Sequence, residues 1–406
     1  MTFERLTPET LSELRQKSAS NFDDQVNFLQ SLVSFDSGTG NVEGNKKVIE
    51  VIFKALDQMP EGLVFSTQIE SAPDVGDHLI VRLGDPKASR KFLALAHLDT
   101  VFAPGQAALH PFGRQGDKFS GLGVADCKGG VVVSLFGAKL ASQMGLFPKD
   151  TELTLLYTSD EETGSLTAKP IYERESICAD LAFVFEPARG INGIITDRKG
   201  CAFGTIEVTG RQAHGLSAYQ SGADANLTLA KAIDRLCQNN DANLGRFFNF
   251  GLIFGGCHAD IVSDHAKADF FVNFHDLQEL DLISAAVRAL ETTDFGAGCT
   301  IATTLTTSFP PLNSTPASLE AYEKVKQIGI ILGLELPRQS SPGSSDGCFL
   351  SSYGVPVLDA LGPYMYDIHT TSEMVGCESI REKTLLFSCI LACLDEFPSR
   401  AEKKKK

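Results

Sequence analysis

Acids and histidines in this chain stand just beyond apolar runs rather than inside polar stretches. His97-Leu98-Asp99 follows the run Phe92–Ala96, Asp160-Glu161-Glu162 follows Glu152–Thr158, and Glu186 follows Leu181–Phe185. Asp126 closes a glycine-rich segment, Gly121-Leu122-Gly123-Val124-Ala125-Asp126, ahead of an apolar helical stretch, and His369 lies in the loop after Val355–Ala360. If those runs are strands of one open α/β sheet, their carboxyl ends form the rim where ligands bind. Separate segments then deliver His97, Asp126, Glu162, Glu186 and His369 to a common place. Two imidazoles and three carboxylates suit a borderline divalent ion, zinc above all, although cobalt and manganese are also accepted. With one carboxylate bridging, five ligands give each of two metals three, and a metal pair can clamp both the attacking and departing oxygens of a hydrolysis.

The elements needed to position these residues are legible in the pattern. The spacing of apolar residues predicts a helix over 22–35, strands at His78–Leu83, Phe92–Ala96, Glu152–Thr158 and Leu181–Phe185, and helices at Gly129–Leu140 and Thr167–Cys178. Such alternation argues for an α/β layer structure with a mostly parallel sheet. The pattern then changes to β-α-β-β-α-β: Cys201–Thr209, Ala223–Cys237, Phe247–Phe254, Ala266–Phe274, Leu277–Leu290 and Cys299–Thr306. That order is the ferredoxin-like signature. After Pro310-Pro311 the α/β alternation resumes with Leu319–Leu332, Val355–Ala360 and Ile380–Leu394. The expected organisation is a discontinuous α/β catalytic domain, 1–197 and 311–406, interrupted by an inserted α+β domain, 198–310.

Composition narrows the classes of function. The 406 residues carry 36 Lys+Arg against 51 Asp+Glu, a net charge of −15, which argues against nucleic acid as a partner. No apolar run approaches the roughly 20 residues of a membrane span, and Met1-Thr2-Phe3-Glu4-Arg5 lacks the pattern of a secretory signal. Ten cysteines without CxxC pairs read as reduced thiols, so a cytoplasmic location is expected. Lys403–Lys406 reads as a solvated tail.

Taken together, Ala96-His97-Leu98-Asp99-Thr100-Val101, Gly121-x-Gly123-x-x-Asp126-x-Lys128-Gly129-Gly130, Asp160-Glu161-Glu162-Thr163-Gly164, Phe185-Glu186-Pro187 and the late His369 resemble the M20 zinc metallopeptidases, and within them the bacterial glutamate carboxypeptidases. The resemblance runs in order along nearly the whole chain. It implies that Asp126 bridges two zinc ions, with His97 and Glu186 completing one site and Glu162 and His369 the other. It also implies that Glu161 is the general base for a metal-bridging water. Asp99 fits the carboxylate that fixes the His97 tautomer. In the inserted domain, Gly210-Arg211-Gln212-Ala213-His214-Gly215 resembles the family segment whose histidine polarises the scissile carbonyl across a dimer, so a homodimer formed through the lid is implied. Ser344-Ser345-Asp346-Gly347 resembles the family motif that shapes the substrate site near His369. The expected substrates are small peptides or N-acyl amino acids, with carboxypeptidase, dipeptidase and N-acyl-amino-acid deacetylase or aminoacylase chemistry all compatible.

Departures from the pattern concern specificity. A carboxypeptidase needs a cationic cradle for the substrate's free carboxylate, usually arginine. Asn273 stands where the resembling enzymes have arginine, Asp260 where they have asparagine and Ser263 where they have proline; near Phe309-Pro310-Pro311 a second arginine is missing. Arg198, Lys199 or Arg338 would have to compensate, and the expectation is an enzyme without preference for C-terminal glutamate. Two readings of other classes compete. Gly343-x-Ser345-x-Gly347 with Asp367 and His369 matches a serine-hydrolase order, but Pro342 precedes it where a buried strand is required. A metal-free binding protein on the same fold would show a damaged ligand set, and here all five ligands and Glu161 are present.

Overall fold

Uniformly apolar runs occupy the centre of the main sheet. The computed structural model describes residues 3–188, 193–296 and 298–399, so the Lys403–Lys406 tail lies outside the described residues. Every residue of the strand Thr151–Thr158 is buried, as expected for a strand covered on both faces. The sheet runs in the order Val64–Glu70, His78–Gly84, Thr151–Thr158, Arg90–His97, Leu181–Val184, Val357–Leu358. The first two strands run antiparallel to their neighbours, and the remaining pairings are parallel. The fold is a mixed α/β structure with a mostly parallel central sheet and separate antiparallel sheets.

One helix lies on the centre of this sheet and a second packs on that helix. Lys128–Gln143, buried continuously from Lys128 to Ala141, packs against Cys377–Ala392, itself buried over most of its length. The close approach depends on glycine: a Cβ at Gly130 would sit 2.1 Å from the carbonyl oxygen of Phe185. The helix predicted over 22–35 is found as Phe22–Val33; Pro8–Ser20, Val42–Leu56 and the strand Val64–Glu70 add elements where the sequence reading makes no assignment.

One feature of the C-terminal region departs from expectation. The strand expected over Val355–Ala360 joins the main sheet at Val357–Leu358, and Asp359 turns to an antiparallel bridge with Ile195. A small antiparallel sheet follows instead, ordered Met365–Tyr366, Met374–Gly376, Lys118–Ser120, Gly113–Gln115. Such two- and three-residue strands are too short to show an alternation in sequence.

The chain divides into two units: residues 1–197, 314–340 and 345–406, and residues 198–313 with 341–344. The second has its own core, including Ile206, Val208, Leu229, Phe270, Val272 and Ile283. Its four-stranded sheet runs Phe248–Gly255, His265–Phe274, Gly200–Thr209, Thr300–Phe309, all antiparallel, with helices Ala225–Cys237 and Leu277–Ala289. That is the ferredoxin-like arrangement. Burial alternates along His265–Phe274, so one face meets the helices. Both helices start at an aspartate whose carboxylate accepts an amide of the first turn, Asp224 from Leu227 and Asp276 from Glu279.

Candidate metal centre

Parallel pairing sets the first half of the site. Strand Arg90–His97 places Ala96 opposite Tyr157 and His97 opposite Thr158, while Leu95 stands opposite Val184. The strands therefore end together, and the chain leaving them presents His97, the turn Glu161–Thr163 and Glu186 at one edge. Asp126 reaches the same edge from the segment between Ser120 and the helix starting at Lys128. His369 does not come from the rim of the main sheet. It sits in the hairpin between Met365–Tyr366 and Met374–Gly376; the latter pairs with Lys118–Ser120, directly ahead of the Asp126 segment.

The two oxygens of Asp126 face two different histidines. Oδ1 lies 3.0 Å from His97 Nε2 and Oδ2 lies 3.2 Å from His369 Nε2. Around the first are Glu186, whose Oε1 is 3.7 Å from His97 Nε2, and Cys127; around the second is Glu162, whose Oε2 is 3.5 Å from His369 Nε2. Within each group the potential ligand atoms lie within 4.8 Å of one another. Cys127 adjoins the first group, but its Sγ donates to the Phe185 carbonyl at 3.0 Å and burial pushes its thiol well up. A buried, protonated thiol is inert.

Asp99 is fully buried and serves more neighbours than its sequence position implies. The His97 Nδ1–H donates to the Asp99 backbone carbonyl at 2.9 Å, while the Asp99 carboxylate stands 3.4 Å from the same nitrogen. That carboxylate also accepts the amides of Glu161 and Glu162, each at 3.2 Å, and the Thr39 hydroxyl at 2.6 Å. Asp99 thus orients the histidine and the acidic turn together.

Protonation tendencies report crowded negative charge. Burial pushes Glu161 well above the ordinary carboxylate range, opposed by His97 and reinforced by Glu186, Asp346 and Glu162. Burial likewise raises Glu162 to about 7. The hydrogen bond to Asp126, against the opposing effect of burial, takes His369 up to about 9. His97 also rises well above its usual value: burial opposes this, but the surrounding acids outweigh it. Asp126 is held below the carboxylate range, because the two histidines outweigh its burial. Two glutamates and two imidazoles that hold their protons more tightly than usual around an ionised Asp126 mark a pocket short of positive charge, which divalent ions would supply. The donor set fits such ions: nitrogen and carboxylate oxygen, three residues on each side, one shared.

Other residues singled out from the sequence fall elsewhere. Asp346 does not face outward; its carboxylate accepts hydrogen bonds from Ser165, Tyr172 and, at 3.1 Å, Thr158, beneath the acidic turn. Ser345 is fully buried and its hydroxyl donates to Asp359 at 2.6 Å, a carboxylate rather than a histidine, so the Ser345/Asp367/His369 triad does not form. In the second unit, His214 is exposed on a two-residue strand paired with Ile261–Val262. Its Nδ1 accepts the amides of Leu216 and Ser217 at 3.2 and 3.4 Å, which places the proton of the neutral ring on Nε2. The Asn273 side-chain oxygen accepts the Phe247 amide at 3.4 Å, and Ser263 donates to the His265 carbonyl at 2.7 Å. Asp260 is exposed beside His258. The Lys199 ammonium is committed to the carbonyls of Leu244 and Gly245, and the Arg198 guanidinium to Ser341 and the carbonyls of Gly343 and Ser344.

Sequence reasoning missed Glu373 and Thr39. Glu373 is 1% exposed and its carboxylate accepts three amides of the Asp126 segment, from Gly123, Ala125 and Asp126, at 3.0, 2.8 and 3.0 Å. A glutamate in a polar loop gives no sign of burial; the available signal was the glycine-rich segment, whose amides need an acceptor.

The chain is thus an α/β protein with an inserted antiparallel unit and a candidate metal centre. Residues 93–392 match peptidase family M20/M25/M40, and the chain belongs to that family. It is 26% identical over 353 residues to carboxypeptidase G2 from Pseudomonas sp. (strain RS-16), covering 85% of this chain and 83% of that one. Acetylornithine deacetylase from Vibrio cholerae is 30% identical over 203 residues, 48% of this chain and 51% of the relative. Among solved structures, the aminopeptidase PepT from Bacillus cereus superposes with a TM-score of 0.78 at 22% identity, covering 92% of this chain and 99% of the other, a likeness of fold.

Proposed function

We propose that this protein is a two-metal amidohydrolase that cleaves the peptide or N-acyl amide bond of a small substrate. The observation that carries the reading is the division of Asp126, one oxygen toward His97 and the other toward His369. His97, Asp126 and Glu186 would hold one divalent ion, and Glu162, Asp126 and His369 the other; zinc suits the set, as do cobalt and manganese. When bound, the ions supply Lewis acidity toward the carbonyl and lower the pKa of water. Glu161 takes the proton of the attacking water and passes it to the departing amine. Its position supports this: the backbone amide is tied to Asp99, and the side chain belongs to a turn separate from the strand that carries His97. In the second unit, the exposed Nε2–H of His214 is a donor suited to a developing oxyanion.

Residues 1–197 and 311–406 would form the catalytic domain and 198–310 the lid and dimerisation domain. A homodimer is supported by the edge strand Phe248–Gly255, which exposes Leu252, Ile253 and Phe254 by 53–58%. All ten cysteines are free, in keeping with a cytoplasmic protein, and among the described residues no helix is long and apolar enough to cross a membrane. C-terminal glutamate would not be preferred, since Asn273, Arg198 and Lys199 are engaged with backbone groups of their own unit. The deacetylase relative keeps N-acyl amino acids open as substrates.

The test is a screen of metal-reconstituted protein on dipeptides, N-acyl amino acids and glutamate-terminated conjugates. Hydrolysis that chelation abolishes is expected, with Glu161→Gln retaining metal but losing about 10²–10⁴-fold in kcat. Chelator-resistant hydrolysis, or full turnover by Glu161→Gln, would overturn the reading; strong preference for glutamate conjugates would overturn the specificity alone.

A further inference from the structure

Glu373 adds side-chain bonds between two loops whose flanking strands, Met374–Gly376 and Lys118–Ser120, are already paired. Its Oε1 accepts the amides of Ala125 and Asp126 at 2.8 and 3.0 Å, and its Oε2 the amide of Gly123 at 3.0 Å. Its own carbonyl accepts the Gly121 amide at 3.3 Å, and its amide donates to the Thr370 carbonyl at 3.2 Å. The carboxylate is therefore surrounded by the backbone amides of the segment that ends in Asp126, an anion-binding concavity filled from within the chain. This segment can adopt its curve because Gly123 has φ +72°, and a Cβ there would meet the Thr100 methyl at 2.6 Å.

Glu373 also lies four residues after His369 on the same hairpin. His369 itself meets Asp126 and Glu162 with its ring. Its side chain is 51% exposed and its backbone is left-handed, φ +62°, as is that of Asp367 at +50°. Close by, the order comes from a short turn in which the Thr370 hydroxyl donates to the Asp367 carbonyl at 2.7 Å. His97, by contrast, ends a buried strand, is 2% exposed and is oriented by Asp99.

We infer that Glu373 is a positioning residue that fixes the His369 hairpin against the Asp126 segment, and so sets the affinity of the Asp126/Glu162/His369 half-site selectively over that of the His97 half-site. The inference rests on the two-metal reading. It assigns Glu373 no contact with substrate.

The test is a calorimetric and absorption titration of metal-stripped, full-length protein with Co²⁺, for the parent, Glu373→Ala and Glu373→Gln. The parent is expected to bind two ions per chain. Glu373→Ala should keep the first within a few-fold and weaken the second by about 10–100-fold, the usual cost of removing a residue that supports a ligand. Glu373→Gln retains one acceptor oxygen and should fall between. Circular dichroism identifies folded variants; should the alanine variant not fold, the isosteric glutamine variant carries the test. Either folded variant binding the second ion as the parent does, or losing both ions equally, would overturn the selective role. A parent that binds no metal would remove the two-metal reading itself.

Discussion

The two sides of Asp126 are built differently. On one, His97 emerges from a sheet strand, is sealed from solvent and has its Nδ1 engaged by the Asp99 carbonyl. On the other, His369 stands half exposed on a hairpin with left-handed backbone, tied in mainly through Glu373. The first side is organised by the same hydrogen bonds that make the sheet, so its geometry is fixed once the core forms. The second rests on a small sheet of two- and three-residue strands and on polar contacts between loops, and local opening there costs less than opening the core. In the proposed two-metal site, one shared carboxylate would thus connect a rigid half with a softer one.

The largest expected difference comes from removing each histidine. His97→Ala should abolish tight binding at its half-site and reduce hydrolysis by at least about 10³-fold, because it removes the nitrogen ligand of that group. His369→Ala should lose metal only from its own half, leaving one ion per chain by elemental analysis. A His369→Ala variant that lost both ions would break the asymmetry.

Asp99→Ala comes next. It removes the acceptor of the Glu161 and Glu162 amides while leaving the backbone carbonyl that engages His97. Metal affinity should fall about 10–100-fold, and kcat should fall further than metal loss explains, because Glu161 loses its anchor. Metal-saturated Asp99→Ala with parental kcat would show that the turn holds itself.

The pH dependence of metal uptake separates the halves more finely. His369 and Glu162 hold protons up to about 9 and about 7, and ions bind their deprotonated forms. Uptake should therefore release protons, and affinity at that half should rise with pH until about 9 and decline as pH falls. Calorimetry in buffers of different ionisation enthalpy measures the release; pH-independent uptake without protons would contradict it.

The smallest effect is a control outside both halves. Lys383 is buried, and burial lowers it from 10.5 to about 7, with the Ala360 carbonyl 3.3 Å away. Between those values the unfolded chain binds more protons, so this residue makes stability rise with pH from about 7 to 10. Lys383→Met should raise the unfolding midpoint at pH 7 and flatten that slope, without changing metal binding at either half.

The contrast between the halves also explains what the sequence revealed. Long apolar runs ending in His97, Asp160 and Glu186 showed where the main strands stop, because burial on both faces leaves a continuous apolar signature. The β-α-β-β-α-β order of the inserted unit was readable for a similar reason, its strands and helices being long and periodic. His369 was recognised as a residue but placed on the wrong scaffold, since its hairpin strands have only two or three residues. Glu373 escaped altogether: its role lies in backbone amides contributed by residues 250 positions away, which no local pattern encodes. Asp346 showed the converse, a motif whose side chain turns inward to brace Ser165 and Tyr172.

Metal content of Asp126→Ala tests the central claim most directly. If one carboxylate serves both half-sites, reconstituted parent holds two ions per folded chain and dialysed Asp126→Ala holds close to none. A folded variant that still retains two ions would contradict the account.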